Sequence, residues 1–223
     1  MTMNKKHVLD LDSYSKTDIE SLLENTIEMK DLLQKDIKKI PSLNGKTVVN
    51  IFLEASTRTR VSFERAAKIL SADVINVSGS GSSIEKGESL YNTALTLQAM
   101  NADIIIVRHP HAGAPYFLSR HLDASVINAG DGSHAHPTQA MLDLFTVFEN
   151  FGKIENLKIA IIGDILHSRV ARSNIWGFVK LGAKLVLCGP KTLLPKQFET
   201  NLQQIYHTEA SNIKIEYDLR SAV

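Results

Sequence analysis

Short apolar runs rich in β-branched residues recur along this chain, and stretches with helical spacing separate them. Thr47 to Leu53, Asp73 to Val77, Asp103 to Val107 and Asp123 to Asn128 read as buried strands. Leu157 to Ile162, Lys184 to Cys188 and Ile213 to Tyr217 continue the series. Between strands, apolar residues return at helical intervals, as in Phe63, Ala66, Ala67 and Leu70. Such alternation predicts an α/β fold whose parallel sheets are covered by helices on both faces. A polar break from Glu149 to Asn156, containing Gly152, divides the chain into residues 1–150 and 151–223, each expected to be doubly wound. Helices are expected from Glu88 to Met100, from His136 to about Phe148 and from Leu194 to about His207. Thr17 and Glu20 have capping-box spacing before a helix through about Gln34.

The charge balance narrows the function. Lys and Arg number 25 against 24 Asp and Glu, a net +1, which gives no footprint for nucleic acid or an acidic membrane surface. Apolar runs are far shorter than a membrane span, and no apolar stretch backs the first charged residues as a secretory signal would. One cysteine, Cys188, cannot form an internal disulfide and suits a reducing compartment, so a cytoplasmic location is expected.

In parallel sheets of this kind, ligands collect beyond the carboxyl ends of the strands. Four polar clusters follow predicted strands: Ser56–Arg60, Ser82–Lys86, Arg108 and His136–Gln139. The first holds three hydroxyls and two arginines within five residues, where an ordinary helix cap needs one hydroxyl. A helix start offers free N–H groups and the positive dipole end, and arginine adds a planar fork for phosphate or carboxylate. The Gly- and Ser-rich loop from Ser78 to Gly87 has a linker's composition, or alternatively forms a flap presenting Ser82 and Lys86 to an anion. Taken singly, Arg108 is a solvated strand-end arginine, His136 a helix cap and Gln139 a surface residue; their common edge argues for a site. Gly163 opens a turn resembling a dinucleotide fingerprint, but Ile165 and Ser168 stand where glycines are required. His109, His111, His121 and His134 lack metal-ligand spacing with carboxylates, so no metal site is expected.

Ser56-Thr57-Arg58-Thr59-Arg60 followed by Ser62-Phe63-Glu64 resembles the carbamoyl phosphate signature of the aspartate and ornithine carbamoyltransferase family. His136-Pro137-Thr138-Gln139 is similar to the family's second signature. Lys86-Gly87-Glu88-Ser89-Leu90 and the turn at His167-Ser168-Arg169 resemble the aspartate-using branch, while the ornithine branch typically has cysteine where Thr138 stands. The resemblance implies carbamoyl transfer from carbamoyl phosphate to L-aspartate, without cofactor or metal. It implies that Ser56, Thr57, Arg58 and Thr59 hold the phosphate, and that Thr59, Arg108 and His136 polarise the carbamoyl oxygen. Gln139 would orient the carbamoyl amide, Arg60 would support, and Arg169 with Lys86 would grip aspartate. Ser82 and Lys86 would serve a neighbouring subunit's site in a homotrimer, with regulatory or dihydroorotase partners as further associates. The family's second domain continues beyond the point matching Val223, so that domain is expected to be incomplete and the chain alone a poor or inactive catalyst. Ornithine carbamoyltransferase and a non-catalytic ligand-binding or subunit-interaction fragment stay open as alternatives.

Overall fold

In chain order the elements begin with α1 (Lys16–Gln34), β1 (Thr47–Phe52), α2 (Thr57–Ile69), β2 (Asp73–Ser78), α3 (Leu90–Ala99), β3 (Ile104–His109), α4 (Ala114–Ser119) and β4 (Ser125–Asp131). There follow α5 (Pro137–Phe151), β5 (Lys158–Ile162), α6 (Arg169–Lys180), β6 (Lys184–Cys188), α7 (Gln197–Tyr206), β7 (Ile213–Glu216) and α8 (Leu219–Ala222). This computed structural model describes residues 5–35, 39–79, 87–206 and 212–223. Contacts divide the chain into two compact units, one holding Thr2–Leu9 and Ile27–Gly132, the other Asp10–Thr26 and Ser133–Val223.

The first unit is built on a four-stranded sheet in the order β2-β1-β3-β4, every pair parallel. β1 reads as a continuous apolar run because both of its faces are covered. Val49 and Ile51 join Ile105 and Val107 of β3, Ala94 of α3 and Leu118 of α4. Val48 and Phe52 point the other way, toward Ile106 and Ala67 of α2. Asn50, fully buried between them, donates through Nδ2 to Asn76 of β2 at 2.9 Å, directly opposite in the register.

The second unit has a three-stranded parallel sheet in the order β5-β6-β7. Its central strand buries Leu185, Val186, Leu187 and Cys188. A side-chain carbon added at Gly177 of α6 would meet Leu144 Cδ1 of α5 at 2.6 Å and Leu11 Cδ1 at 3.1 Å, so glycine here permits close helix contact. Lys180 ties the chain before α1 into this unit, its Nζ donating to the carbonyls of Leu11, Asp12 and Tyr14.

Local expectations fail in instructive ways. The cap of α1 is Ser15, not Thr17: Ser15 N–H donates to Asp18 Oδ2 at 2.9 Å and Asp18 N–H donates to Ser15 Oγ at 3.1 Å. The same reciprocal box is there, two residues earlier. α2 starts at Thr57, well before the apolar periodicity that begins at Phe63, so Thr57 and Thr59 lie in its first turn and Ser56 is its N-cap residue. β4 runs past the expected end at Asn128 through Gly130 to Asp131, because a register shift between Val107 and His109 lets His109 pair with Asp131. α4 and α8 are too short to leave a periodic trace, and α7 begins at Gln197 rather than Leu194. Among the described residues no helix is long and apolar enough to cross a membrane.

Candidate functional site

The first cluster sits at the carboxyl ends of β1 and β3. Phe52 and Arg108 are register partners, and the Leu53 N–H donates to the Arg108 carbonyl at 2.9 Å. The chain leaves β1 and enters α2 at Ser56, its N-cap residue. Ser56 makes no side-chain cap; its Oγ donates instead to Thr59 Oγ1 at 2.9 Å. The first i to i−4 bond of the helix is Arg60 N–H to Ser56 carbonyl, so the N–H groups of Thr57, Arg58 and Thr59 point out of the helix end. Thr57, Arg58 and Arg60 are exposed there. This end gathers hydroxyls, backbone N–H groups and a guanidinium suited to a tetrahedral oxyanion.

Arg108 is 8% exposed, which demands compensation for its charge. Its Nη2 donates to Glu54 Oε1 at 2.5 Å and its Nη1 to the Ala129 carbonyl at 3.1 Å. Beside it, Asp131 is fully buried and accepts from Gly113 N–H at 2.7 Å and from Asn128 Nδ2 at 2.8 Å. Burial lowers the pKa of His109 from its ordinary value, with the carboxylates of Asp131 and Glu54 among the groups that oppose the shift. Its Nδ1 accepts from His111 N–H at 2.9 Å.

The second cluster lies in the other unit, on α5 and α6. His136 is the buried N-cap residue of α5, followed by Pro137, whose missing N–H costs a helix start nothing. Its backbone N–H donates to Ser173 Oγ at 2.9 Å, and that hydroxyl donates to Asp10 Oδ1 at 2.6 Å. One turn along α5, Gln139 Nε2 donates to Asp143 Oδ1 at 2.9 Å, and Asn174 of α6 donates to Asp143 Oδ2 at 2.8 Å. Arg169 is the first residue of α6 and half-buried, after Ser168, whose side chain accepts from Ala171 N–H at 3.1 Å.

The expected residues thus form two sets. Ser56, Thr57, Arg58, Thr59 and Arg108 lie at the carboxyl ends of β1 and β3, while His136 and Gln139 lie at the start of α5 and Arg169 at the start of α6. Ser82 and Lys86 lie outside the described residues. Sequence reasoning passed over Glu54, Asp131, Ser173 and Asp10. Glu54 and Asp131 had a signal, an acidic residue directly beyond an apolar run; Ser173 and Asp10 had none, being 163 residues apart. Among the described residues no three His, Cys, Asp or Glu side chains gather as a metal site.

Comparison with known proteins matches both halves. The family model described as aspartate/ornithine carbamoyltransferase, carbamoyl-P binding domain, covers residues 6–149, and that for the Asp/Orn binding domain covers residues 155–223. The aspartate carbamoyltransferase catalytic subunit of Roseiflexus sp. (strain RS-1) is 58% identical over 195 residues, covering 87% of this chain and 61% of that protein. The corresponding subunit of Chloroflexus aggregans (strain MD-66 / DSM 9485) is 52% identical over 220 residues, 98% of this chain and 69% of the relative. The chain therefore spans about three fifths to two thirds of the length of these relatives. Among solved structures, the catalytic subunit of M. jannaschii aspartate transcarbamoylase superposes with a TM-score of 0.84 at 36% identity, over 96% of this chain and 69% of that one. Aspartate transcarbamoylase from Trypanosoma cruzi, in complex with carbamoyl phosphate and aspartate, superposes with a TM-score of 0.86 at 28% identity, over 96% of this chain and 67% of that one. With both domain families matched along nearly its whole length, the chain belongs to the aspartate/ornithine carbamoyltransferase family.

Proposed function

We propose that the protein transfers the carbamoyl group of carbamoyl phosphate to the amine of L-aspartate, giving N-carbamoyl-L-aspartate and phosphate. A C–N bond forms as the amine attacks the carbamoyl carbon, the C–O bond to phosphate breaks, and the amine proton leaves to phosphate or solvent. Residues 1–150 would bind carbamoyl phosphate, and residues from 151 on would begin the aspartate-binding domain. Thr57, Arg58 and Thr59 with Ser56 receive the phosphate, and Arg58 neutralises the charge that grows on it. Thr59, Arg108 and His136 donate to the carbamoyl oxygen, where negative charge develops in the transition state. Gln139 orients the carbamoyl amide, and Arg169 and Lys86 hold the aspartate carboxylates. Arg60 contributes charge nearby. Fixing two charged reactants removes enough entropy to make a covalent intermediate unnecessary.

The observation that carries this reading is the helix start at Ser56. Its serine turns to Thr59 instead of capping, and Glu54, two residues before it, accepts from Arg108 of the neighbouring strand. Aspartate is favoured over ornithine because relatives named aspartate carbamoyltransferase are 50–58% identical. A homotrimer with Ser82 and Lys86 serving the adjacent site, and a cytoplasmic location, complete the proposal; the free, buried Cys188 is consistent with a reducing compartment. The test is carbamoylation of aspartate and ornithine side by side, with phosphate release, in the 223-residue chain and in the same chain completed to the length of its relatives. Aspartate-dependent product in the completed chain supports the reading. Preference for ornithine, or phosphate binding with no transfer to either amine, overturns it.

A further inference from the structure

We propose that the Ser173 hydroxyl and the Asp10 carboxylate form a positioning relay for His136, setting the backbone from which its imidazole projects. The significance for catalysis rests on the proposed carbamoyl transfer; the relay itself rests on geometry alone. Ser173 is fully buried and Asp10 is 4% exposed. The serine has one proton, and it points to Asp10 Oδ1 at 2.6 Å. Its oxygen is then left to accept, and it accepts the His136 N–H at 2.9 Å. A backbone N–H can only donate and a carboxylate can only accept, so the direction of both bonds is fixed.

A helix cap alone does not require this arrangement. The N–H of an N-cap residue can be satisfied by any neutral acceptor, whereas burying a carboxylate carries a desolvation penalty before its bonds are counted. Desolvation pushes the Asp10 pKa up, opposed by its bonds from Ser173 and the Leu11 N–H. A charged end polarises the serine and makes it a stronger acceptor for His136. The three groups come from three separate stretches: the segment before α1, the N-terminus of α5 and the second turn of α6. Their convergence pins the entry to α5 at His136, whose side chain the proposed reaction uses.

The experiment uses Ser173→Ala, Asp10→Ala and the isosteric Asp10→Asn, with two readouts. The first is amide hydrogen exchange in the 223-residue chain. Exchange at His136 should rise about tenfold in both alanine variants and less in Asp10→Asn, which keeps an acceptor without the charge. Amides further along α5 should stay within about threefold of the parent. The second is steady-state kinetics in the chain completed to family length. Turnover should fall about 10- to 100-fold with the KM for carbamoyl phosphate little changed, because a misplaced group costs rate more than binding. Unchanged exchange at His136 in Ser173→Ala overturns the relay, as does uniform acceleration along the whole of α5. Unchanged turnover in an active parent overturns its positioning role. A parent that carbamoylates nothing defeats the proposed function instead, and exchange at His136 still decides whether the relay holds.

Discussion

Both units send a strand through a short turn into a helix that starts with serine and arginine, yet the two starts are wired differently. At α6, Ser168 accepts a hydrogen bond from Ala171 N–H, an ordinary N-cap. At α2, Ser56 occupies the same position and makes no cap, giving its proton to Thr59. The hydroxyl of α6 is committed to the helix, while the hydroxyls of α2 are arranged around its open end. The difference separates a helix start whose serine is its cap, leaving Arg169 as the group proposed to meet substrate, from one whose hydroxyls and N–H groups are themselves proposed to meet the anion. A serine at a helix start is therefore read by what it bonds to, not by its position.

The comparison predicts that the largest loss of function comes from α2. Arg58→Ala in a chain completed to family length should lower carbamoyl transfer by about 10²- to 10³-fold, the usual loss for one group facing developing charge. Arg58 is exposed, so the fold should survive, as circular dichroism would check. Lysine should rescue poorly, since it lacks the planar fork. Turnover within tenfold of the parent would remove α2 from the reaction.

A scaffold change should be costly in a different currency, stability. Gly177→Ala adds a carbon at 2.6 Å from Leu144 Cδ1, and both Leu144 and Leu11 are fully buried with little room to yield. Overpacking of about 1–3 kcal/mol is offset by about 1 kcal/mol of better helix propensity, leaving a net loss of about 0–2 kcal/mol. Urea denaturation reads this directly, and a stabilised variant would contradict the close contact of α5 and α6.

The sharpest test of the comparison is a pair of matched substitutions. Ser168→Ala removes a working cap and should cost about 1 kcal/mol. Ser56→Ala removes no cap and should change stability by no more than about 0.5 kcal/mol, while weakening phosphate binding. Equal stability losses in the two variants would erase the distinction drawn between the helix starts.

What was legible in the sequence follows the range of the interaction involved. β1 and α2 could be read because apolar period and turn chemistry are local, and the hydroxyl cluster stood out by density. The box at the start of α1 was read two residues late because Ser15 and Thr17 offer overlapping frames with Asp18 and Glu20. α4 spans only six residues, opened by Gly113 and Pro115, and reads as a loop. Partners remote in sequence left no trace at all. Glu54 meets Arg108 across 54 residues and Asp10 meets Ser173 across 163, and only the folded chain brings either pair together.

The mildest prediction moves to the opposite end of β1 and β3, which the proposed chemistry does not use. There Lys46 Nζ meets Asp103 Oδ1 at 2.8 Å and the Thr47 N–H donates to Asp103 Oδ2 at 2.9 Å. The bond from Lys46, then that from Thr47, holds the Asp103 carboxyl below its ordinary value of 3.8. A carboxyl whose pKa is depressed by folding adds stability above its unfolded pKa and loses it as pH falls through the folded one. Asp103→Asn keeps an acceptor for Thr47 but loses the charge facing Lys46. At pH 7 it should lower stability by less than about 1 kcal/mol, the scale of a solvent-screened pair. The gap between variant and parent should close as pH drops below the ordinary carboxylate range, and high salt should shrink it. Turnover in the completed chain should be unaffected, in contrast to Arg58→Ala at the other end of the same sheet. A stability gap that stays constant down to acid pH would show that the aspartate acts there by shape or hydrogen bonding and not by charge.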